Sequence, residues 1–236
     1  MHSDDPAAVR TQYATEQNLR ARQALWANVE GENGPVVLWR VLASLRPRNV
    51  LEVGGGQGEL AERMQTELGA RVTFVDQSER MVELARARGI ADARVGDVQE
   101  LPFADASFDT AVAAWMLYHV HDLDRGLAEL ARVLEQGGRL VAVTNSVRHI
   151  EELRALFGTI MPGFERQFHS ENGEELLRRH FSHVERTDAE VVAIVDDRET
   201  LVAYGDSLSY ETRPVPDDVP LPFRVDGRTT IFVATR

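Results

Sequence analysis

Val50-Leu51-Glu52-Val53-Gly54-Gly55-Gly56-Gln57-Gly58-Glu59-Leu60 is the stretch on which the reading of this chain turns. A short apolar run enters a cluster of glycines, and an amphipathic segment opens directly out of it. The pattern is that of a strand, a tight turn and a helix N-terminus. Glycine has a physical reason to be there. A ligand approaches the backbone only where no Cβ intervenes, and a tight turn draws on positive φ. In an open α/β sheet the crevice beyond the carboxyl ends of the strands is where ligands bind.

Outward from the turn, strands and helices alternate. Residues 49–53 read as a strand, 59–68 as a helix, 71–75 as a strand and 78–88 as a helix. Residues 93–95 and 108–113 read as further strands. The stretch 122–134 reads as a helix closed by Gly137-Gly138, and 139–144 as a fifth strand. Short strands separated by helices of this length make right-handed crossovers and a parallel sheet. Upstream, residues 6–29 read as one or two amphipathic helices, with Val9, Tyr13, Leu19, Leu25 and Trp26 at helical spacing. Residues 31–35 break them, and 36–45 restart a helix. After residue 144 the pattern loosens. Segments 150–157, 171–181 and 199–208 look helical, 183–195 like a strand with a bend, and 229–234 like a last strand. Residues 212–222, rich in proline, read as an extended surface loop.

Composition narrows the function classes. A length of 236 residues suits one large α/β domain. The formal net charge is −12, from 38 acidic against 26 basic side chains, and no basic cluster appears. Phosphate neutralisation needs such a face, so neither nucleic acid nor an anionic membrane is an expected partner. No apolar run approaches a bilayer span. The opening Met1-His2-Ser3-Asp4-Asp5-Pro6 is acidic where a signal peptide needs a basic head, so the expected location is the cytoplasm. There is no cysteine, which removes disulfides, thiolate nucleophiles and cysteine-based zinc sites. There is no lysine either, which removes Schiff-base chemistry and the phosphate-loop lysine.

The glycine turn by itself admits two ligands. Gly56-x-Gly58-x-x-Ala61 satisfies a dinucleotide fingerprint, with Asp76 at the spacing of a ribose-binding acid. Glu52, two residues ahead of the first glycine, argues for the other. A carboxylate there repels a pyrophosphate and suits a ligand carrying an ammonium and a sulfonium.

With these residues in view, the segment 48–145 resembles the core of class I S-adenosylmethionine-dependent methyltransferases, especially those acting on small molecules. Glu52-x-Gly54-x-Gly56-x-Gly58 matches the first motif of that family, and Val75-Asp76-Gln77-Ser78-x-x-Met81 the acidic end of its second strand. Gly96-Asp97 with Leu101-Pro102-Phe103 matches the loop after the third strand. Phe108-Asp109, Tyr118-His119-Val120, Leu130-Ala131-Arg132-Val133-Leu134 and Gly137-Gly138 complete the ordered set. The resemblance implies a Rossmann-like, doubly wound, seven-stranded sheet, mostly parallel with an antiparallel last strand, plus an N-terminal helical lid. It divides a single domain into that lid (1–46), a cofactor-binding core (47–145) and a C-terminal half shaping the acceptor pocket (146–236).

It also implies roles. Glu52, Gly54, Gly55, Gly56, Gln57 and Gly58 should hold the methionine moiety, and Asp76 the ribose hydroxyls, with Gln77 and Met81 beside ribose and adenine. Gly96, Asp97 and the Val98 backbone should receive the adenine, with Ala114 and Trp115 near the methionine end. Asp109 should tie down a loop. On the acceptor side stand Tyr13, Tyr118 and His119, with Arg20 and Arg22 on the lid, Arg22 as a partner for the methionine carboxylate. His119 is a candidate base and equally a loop-shaping residue, so no catalytic residue is assigned. His119-x-His121-Asp122 lacks a third strand-end carboxylate, and no metal is expected. His180 and His183 read as structural. S-adenosylmethionine, leaving as S-adenosylhomocysteine, is the implied cofactor, with a small-molecule acceptor and a monomer or homodimer. An NAD(P)-dependent oxidoreductase, a non-catalytic S-adenosylmethionine-binding protein and a protein or RNA methylase remain the alternatives.

Overall fold

A computed structural model describes residues 16–159, 167–208 and 212–236. Helix α1 (Glu16–Ala24) leads into strand β1 (Val29–Gly31) and helix α2 (Gly34–Leu45). The alternating half follows: β2 (Asn49–Val53), α3 (Glu59–Leu68), β3 (Arg71–Asp76), α4 (Glu79–Ala87), β4 (Asp92–Val95) and β5 (Phe108–Ala114). A 3-10 turn (Leu117–His119), α5 (Leu123–Val133) and β6 (Leu134–Asn145) come next. The last part holds α6 (Glu151–Phe157), α7 (Gly173–Leu177), β7 (His183–Val195), α8 (Arg198–Asp206) and β8 (Phe223–Thr235).

The strands form one sheet in the order β1-β7-β8-β6-β5-β2-β3-β4. Strands β2 to β6 pair in parallel, whereas β8 runs antiparallel to both β6 and β7. The chain winds outward from β2 to β4, then returns to lay β5 against the other side of β2. That reversal opens a crevice at the carboxyl ends of β2 and β5. Side chains alternate across the sheet. Leu51, Val53, Ala111 and Ala113 pack under Leu127, Leu130 and Val133 of α5. Val50, Val72, Phe74 and Val112 pack under Leu38 and Leu42 of α2, Met64 of α3 and Val82 of α4.

The expected doubly wound sheet is present, with its antiparallel last strand, but it has eight strands rather than seven. The additional one is β1, antiparallel on β7, where the sequence pattern placed the tail of a helix and a break. At Gly31, φ is +99°, and a Cβ would lie 2.7 Å from the Glu190 carbonyl oxygen, so only glycine closes this pairing. Gly137-Gly138 does not cap α5. The helix passes straight into β6 at Leu134, which pairs with Phe108, and the glycines take up the register shift that follows. Strand β7 has no bend in its pairing; thirteen residues run in continuous register along β8, from His183 opposite Thr235 to Val195 opposite Phe223. Helix 171–181 shrinks to Gly173–Leu177, because Ser170 N–H donates to the Asn145 carbonyl and Glu171 is held by Ser146 and Val147.

The upper parts of β7 and β8 reach beyond the parallel sheet and carry a separate core. Leu25, Leu153, Phe157, Ala193, Leu201, Tyr204 and Val225 form it, joined by Val215 from the proline-rich loop, which is therefore not all surface. Helix α1 packs on α8 in this layer, and Arg22 donates to the Ser207 carbonyl at 2.9 Å.

Candidate cofactor and acceptor site

The glycine turn sits where β2 ends. Gly54 N–H donates to the Val75 carbonyl at 2.8 Å, fastening the turn to the end of β3. A Cβ on Gly54 would meet Met116 at 2.9 Å, so the turn lies against the loop that follows β5. Gly56 has φ +60° and open space where a Cβ would project. Backbone is thus offered to a ligand at that position.

Glu52 is the unusual group. It is 1 % exposed, and neither carboxylate oxygen has a hydrogen-bond partner among the described residues. A Cβ on Gly55 would come within 2.5 Å of the Glu52 Cδ and 2.7 Å of the Phe74 ring. Burial, then the neighbouring Asp76 charge, pushes its carboxyl up to about 8; the Ala61 amide, outside hydrogen-bond geometry, opposes that shift. Without a ligand the group is mostly protonated at neutral pH. A buried carboxyl with no partner is costly, and an incoming cation would relieve it.

Asp76 closes β3 and accepts the Ser78 N–H at 2.8 Å. Burial raises its pKa, while the Ser78 and Gly56 amides hold it back. Gly96 N–H donates to the Asp76 carbonyl at 3.0 Å, bringing the β4 loop alongside. Gln77 is exposed and Met81 half-buried on α4, whose N-cap Ser78 accepts the Met81 N–H. Asp97 holds Gln99: the Gln99 backbone N–H donates at 2.9 Å, and its side-chain amide reaches both carboxylate oxygens. Val98 turns its side chain into the core.

Past β5, Ala114 leads to Trp115, which holds φ +53°, a region bulky residues rarely occupy. Its N–H donates to the Val143 carbonyl at 2.9 Å, and its Nε1–H to the Asn145 side-chain oxygen at 3.2 Å. Strain of this kind clusters at ligand sites. Tyr118 and His119 follow on the 3-10 turn with their rings edge to face, 4.5 Å between centroids. The site residues of the core therefore converge on the carboxyl ends of β2, β3, β4 and β5.

Other candidates stand elsewhere. Tyr13 lies outside the described residues, as does the Arg20 side chain. Arg22, read as a partner for a carboxylate, is bound to Ser207 instead. Asp109 accepts from the Arg48 and Asn49 amides and from Thr110 Oγ1, at the opposite end of the sheet, and so ties down a loop as expected. His180 pairs with Asp124 at 2.8 Å. Among the described residues no three His, Asp or Glu side chains are grouped to hold a metal ion, and no helix is long and apolar enough to cross a membrane. Sequence reading missed Gln99, which also accepts the Asp122 N–H at 2.8 Å and so links the β4 loop to the start of α5. It also missed Met116 and Asn145. None of the three belongs to a motif; only contacts reveal them.

A doubly wound sheet with a glycine turn at its switch point, a buried acid beneath it and a second acid closing the next strand defines a nucleotide-cofactor-binding α/β protein. Similarity to known proteins narrows this: residues 51–142 match the model of the methyltransferase domain, and this segment is similar to the core of S-adenosylmethionine-dependent methyltransferases. A demethylmenaquinone methyltransferase of Thermobifida fusca is 40 % identical over 129 residues, covering 50 % of this chain and 54 % of that protein. The chain spans about half the length of the curated relatives it matches. Among solved structures, a methyltransferase of Thermotoga maritima superposes with TM-score 0.52 at 21 % identity, over 96 % of this chain and 92 % of that one. The cyclase SpnF superposes with TM-score 0.61 at 19 % identity, over 99 % and 97 %. At such identities these structures share the fold.

Proposed function

We propose that the chain binds S-adenosylmethionine in this crevice and transfers its methyl group to a small-molecule acceptor. The observation that carries the reading is Glu52, buried and unpartnered against a glycine turn that leaves open space at Gly56. An ammonium-bearing ligand satisfies that carboxylate; the pyrophosphate of a dinucleotide brings charge of the wrong sign. When bound, the cofactor supplies a sulfonium-activated methyl group that an acceptor displaces in line.

The work of the chain is to bind and orient. Glu52 receives the ammonium while the backbone from Gly54 to Gly58, Gln57 included, takes the methionine moiety. Asp76 accepts from the ribose hydroxyls beside Gln77 and Met81. Gly96, Asp97 and the Val98 amide take the adenine; Asp97 retains acceptor capacity beyond its bonds to Gln99. Ala114 and Trp115 flank the reacting end, and Tyr118 and His119 face the acceptor. Holding donor and acceptor in line supplies up to about 7–11 kcal/mol of the barrier, so a base is needed only where the acceptor must lose a proton. The C-terminal half, 146–236, shapes the acceptor pocket. The acidic net charge favours a small molecule over nucleic acid, and the protein acts as a cytoplasmic monomer or homodimer.

The cyclase neighbour keeps a second reading in play, since this fold also serves a protein named for other chemistry. Isothermal titration with S-adenosylmethionine tests the binding. The expected result is saturable binding, weakened about a hundredfold by Asp76→Ala through loss of two charge-assisted hydrogen bonds, and no binding of NAD(H). Failure of the folded protein to bind would overturn the proposal. Binding with no methylated product across an acceptor panel would favour the non-catalytic reading.

A further inference from the structure

Where β6 hands over to α6, one buried hydrogen-bond donor has no acceptor among the described residues. Arg154 donates from Nη2 to the Val147 carbonyl, but its Nε–H is buried and unpartnered. The acids of this corner are engaged elsewhere: Glu151 with Arg148, Asp226 with Arg228, Glu152 with the Asp226 N–H, and Glu171 with Ser146 and the Val147 N–H. His149 accepts the Arg228 backbone N–H on Nδ1 at 2.9 Å. Burial, then the Arg154 charge, lowers its pKa to about 4, so the ring is neutral at physiological pH. With Nδ1 accepting, the single ring proton sits on Nε2, which makes that edge a donor. Trp26 stacks on the other side of the imidazole, with ring centroids 5.7 Å apart.

The corner adjoins the crevice. Val147 is two residues past Asn145, the residue that receives the Trp115 indole N–H. Ser146 N–H also donates to the Arg228 carbonyl at 3.0 Å, holding the corner to β8. A half-buried guanidinium without a counter-ion is unfavourable, and an anion entering beside it removes the penalty. The planar edge of one arginine and one imidazole N–H match a carboxylate, whereas a phosphate dianion calls for more positive charge. At a net charge of −12, the protein at large repels acids, so an acidic ligand depends on such a local device.

We propose that Arg154 and His149 form an anion subsite of the acceptor pocket, and that the acceptor carries a carboxylate. The acceptor assignment rests on the methyltransferase reading; the anion site does not. The test uses acetate as probe. Nitrogen-15-labelled protein, saturated with S-adenosylhomocysteine, is titrated with sodium acetate while the arginine Nε–H resonances are followed, with acetamide and sodium chloride as controls.

The expected result is a saturable downfield shift of one resonance, the one missing from the spectrum of Arg154→Gln, and no response to either control. Arg154→Gln should weaken acetate binding at least about tenfold, and His149→Phe about threefold. Both variants should bind S-adenosylhomocysteine as the parent does. His149→Phe keeps the stack on Trp26 and decides the matter if Arg154→Gln does not fold. A shift without saturation, or unchanged acetate affinity in the variants, would overturn the proposal. So would loss of S-adenosylhomocysteine affinity in Arg154→Gln, which would assign the guanidinium to the carboxylate of the cofactor. If the parent does not bind S-adenosylhomocysteine, the methyltransferase reading fails, and the same titration without it still decides the anion site.

Discussion

Glu52, buried near the end of β2, and His149, half-buried just past the end of β6, are both titratable side chains held neutral, for reasons that run in opposite directions. Burial and the Asp76 charge raise the Glu52 carboxyl to about 8. Burial and the Arg154 charge lower the His149 imidazole to about 4. On the parallel side of the crevice an acid waits without a cation, and on the antiparallel side a donor waits without an acid. On the proposed reading, ligand binding rather than folding completes each wall, which is how an uncompensated group is tolerated there.

Opposite causes give opposite pH dependence, which is the most sensitive way to break the comparison. For Glu52 the folded pKa is raised, so its contribution to stability is full below about 4.5 and is lost as pH climbs through about 8. For His149 the folded pKa is depressed, so its contribution is present above about 6.5 and is lost as pH falls towards about 4. Glu52→Gln should therefore stabilise the ligand-free protein at pH 8, on the order of 3 kcal/mol, and hardly at all at pH 4.5. The same variant should bind S-adenosylmethionine more weakly. His149→Phe should flatten the acid limb only. Urea unfolding across pH 4–9 reads both; parallel profiles would dissolve the contrast.

The glycine wall has a finer test. Gly55→Ala should cost about 2 kcal/mol in urea unfolding, because its Cβ meets the Glu52 carboxyl and the Phe74 ring. Gly56→Ala meets nothing and carries only the strain of its positive φ, about 1–2 kcal/mol, yet it should lose more cofactor affinity by filling the open space. Equal affinity losses would remove the distinction between packing and approach. Smallest is Gln99→Ala, about 1 kcal/mol, through the broken link between Asp97 and the start of α5. An unchanged melting temperature would show that link to be incidental.

The same division governs what could be read beforehand. The parallel half was legible because its signals are local: apolar runs, helical periodicity and a glycine cluster all lie within a few residues of one another. The antiparallel half depends on distant pairings. Val29–Gly31 is too short to show a pattern, and it becomes a strand only because β7 offers an edge. Glu171 is drawn out of the helix by bonds to Ser146 and Val147 past the end of β6, and Asn172 by bonds to His169 and Gln167. Arg22 stands on a helix face that sequence cannot orient, and Ser207 claims it. Arg154 and His149 belong to no motif, and only a missing partner draws notice to them.

The seating of α1 on α8 and of β1 on β7 bears on any attempt to redirect this protein by exchanging parts with a relative. A graft of residues 146–236 alone would strip the donor segment of its N-terminal cover and leave Trp26 facing a foreign strand where it now lies over Gly227. The unit of exchange is discontinuous. Residues 16–31 must travel with the C-terminal half, leaving the nucleotide-binding segment between them as the fixed chassis.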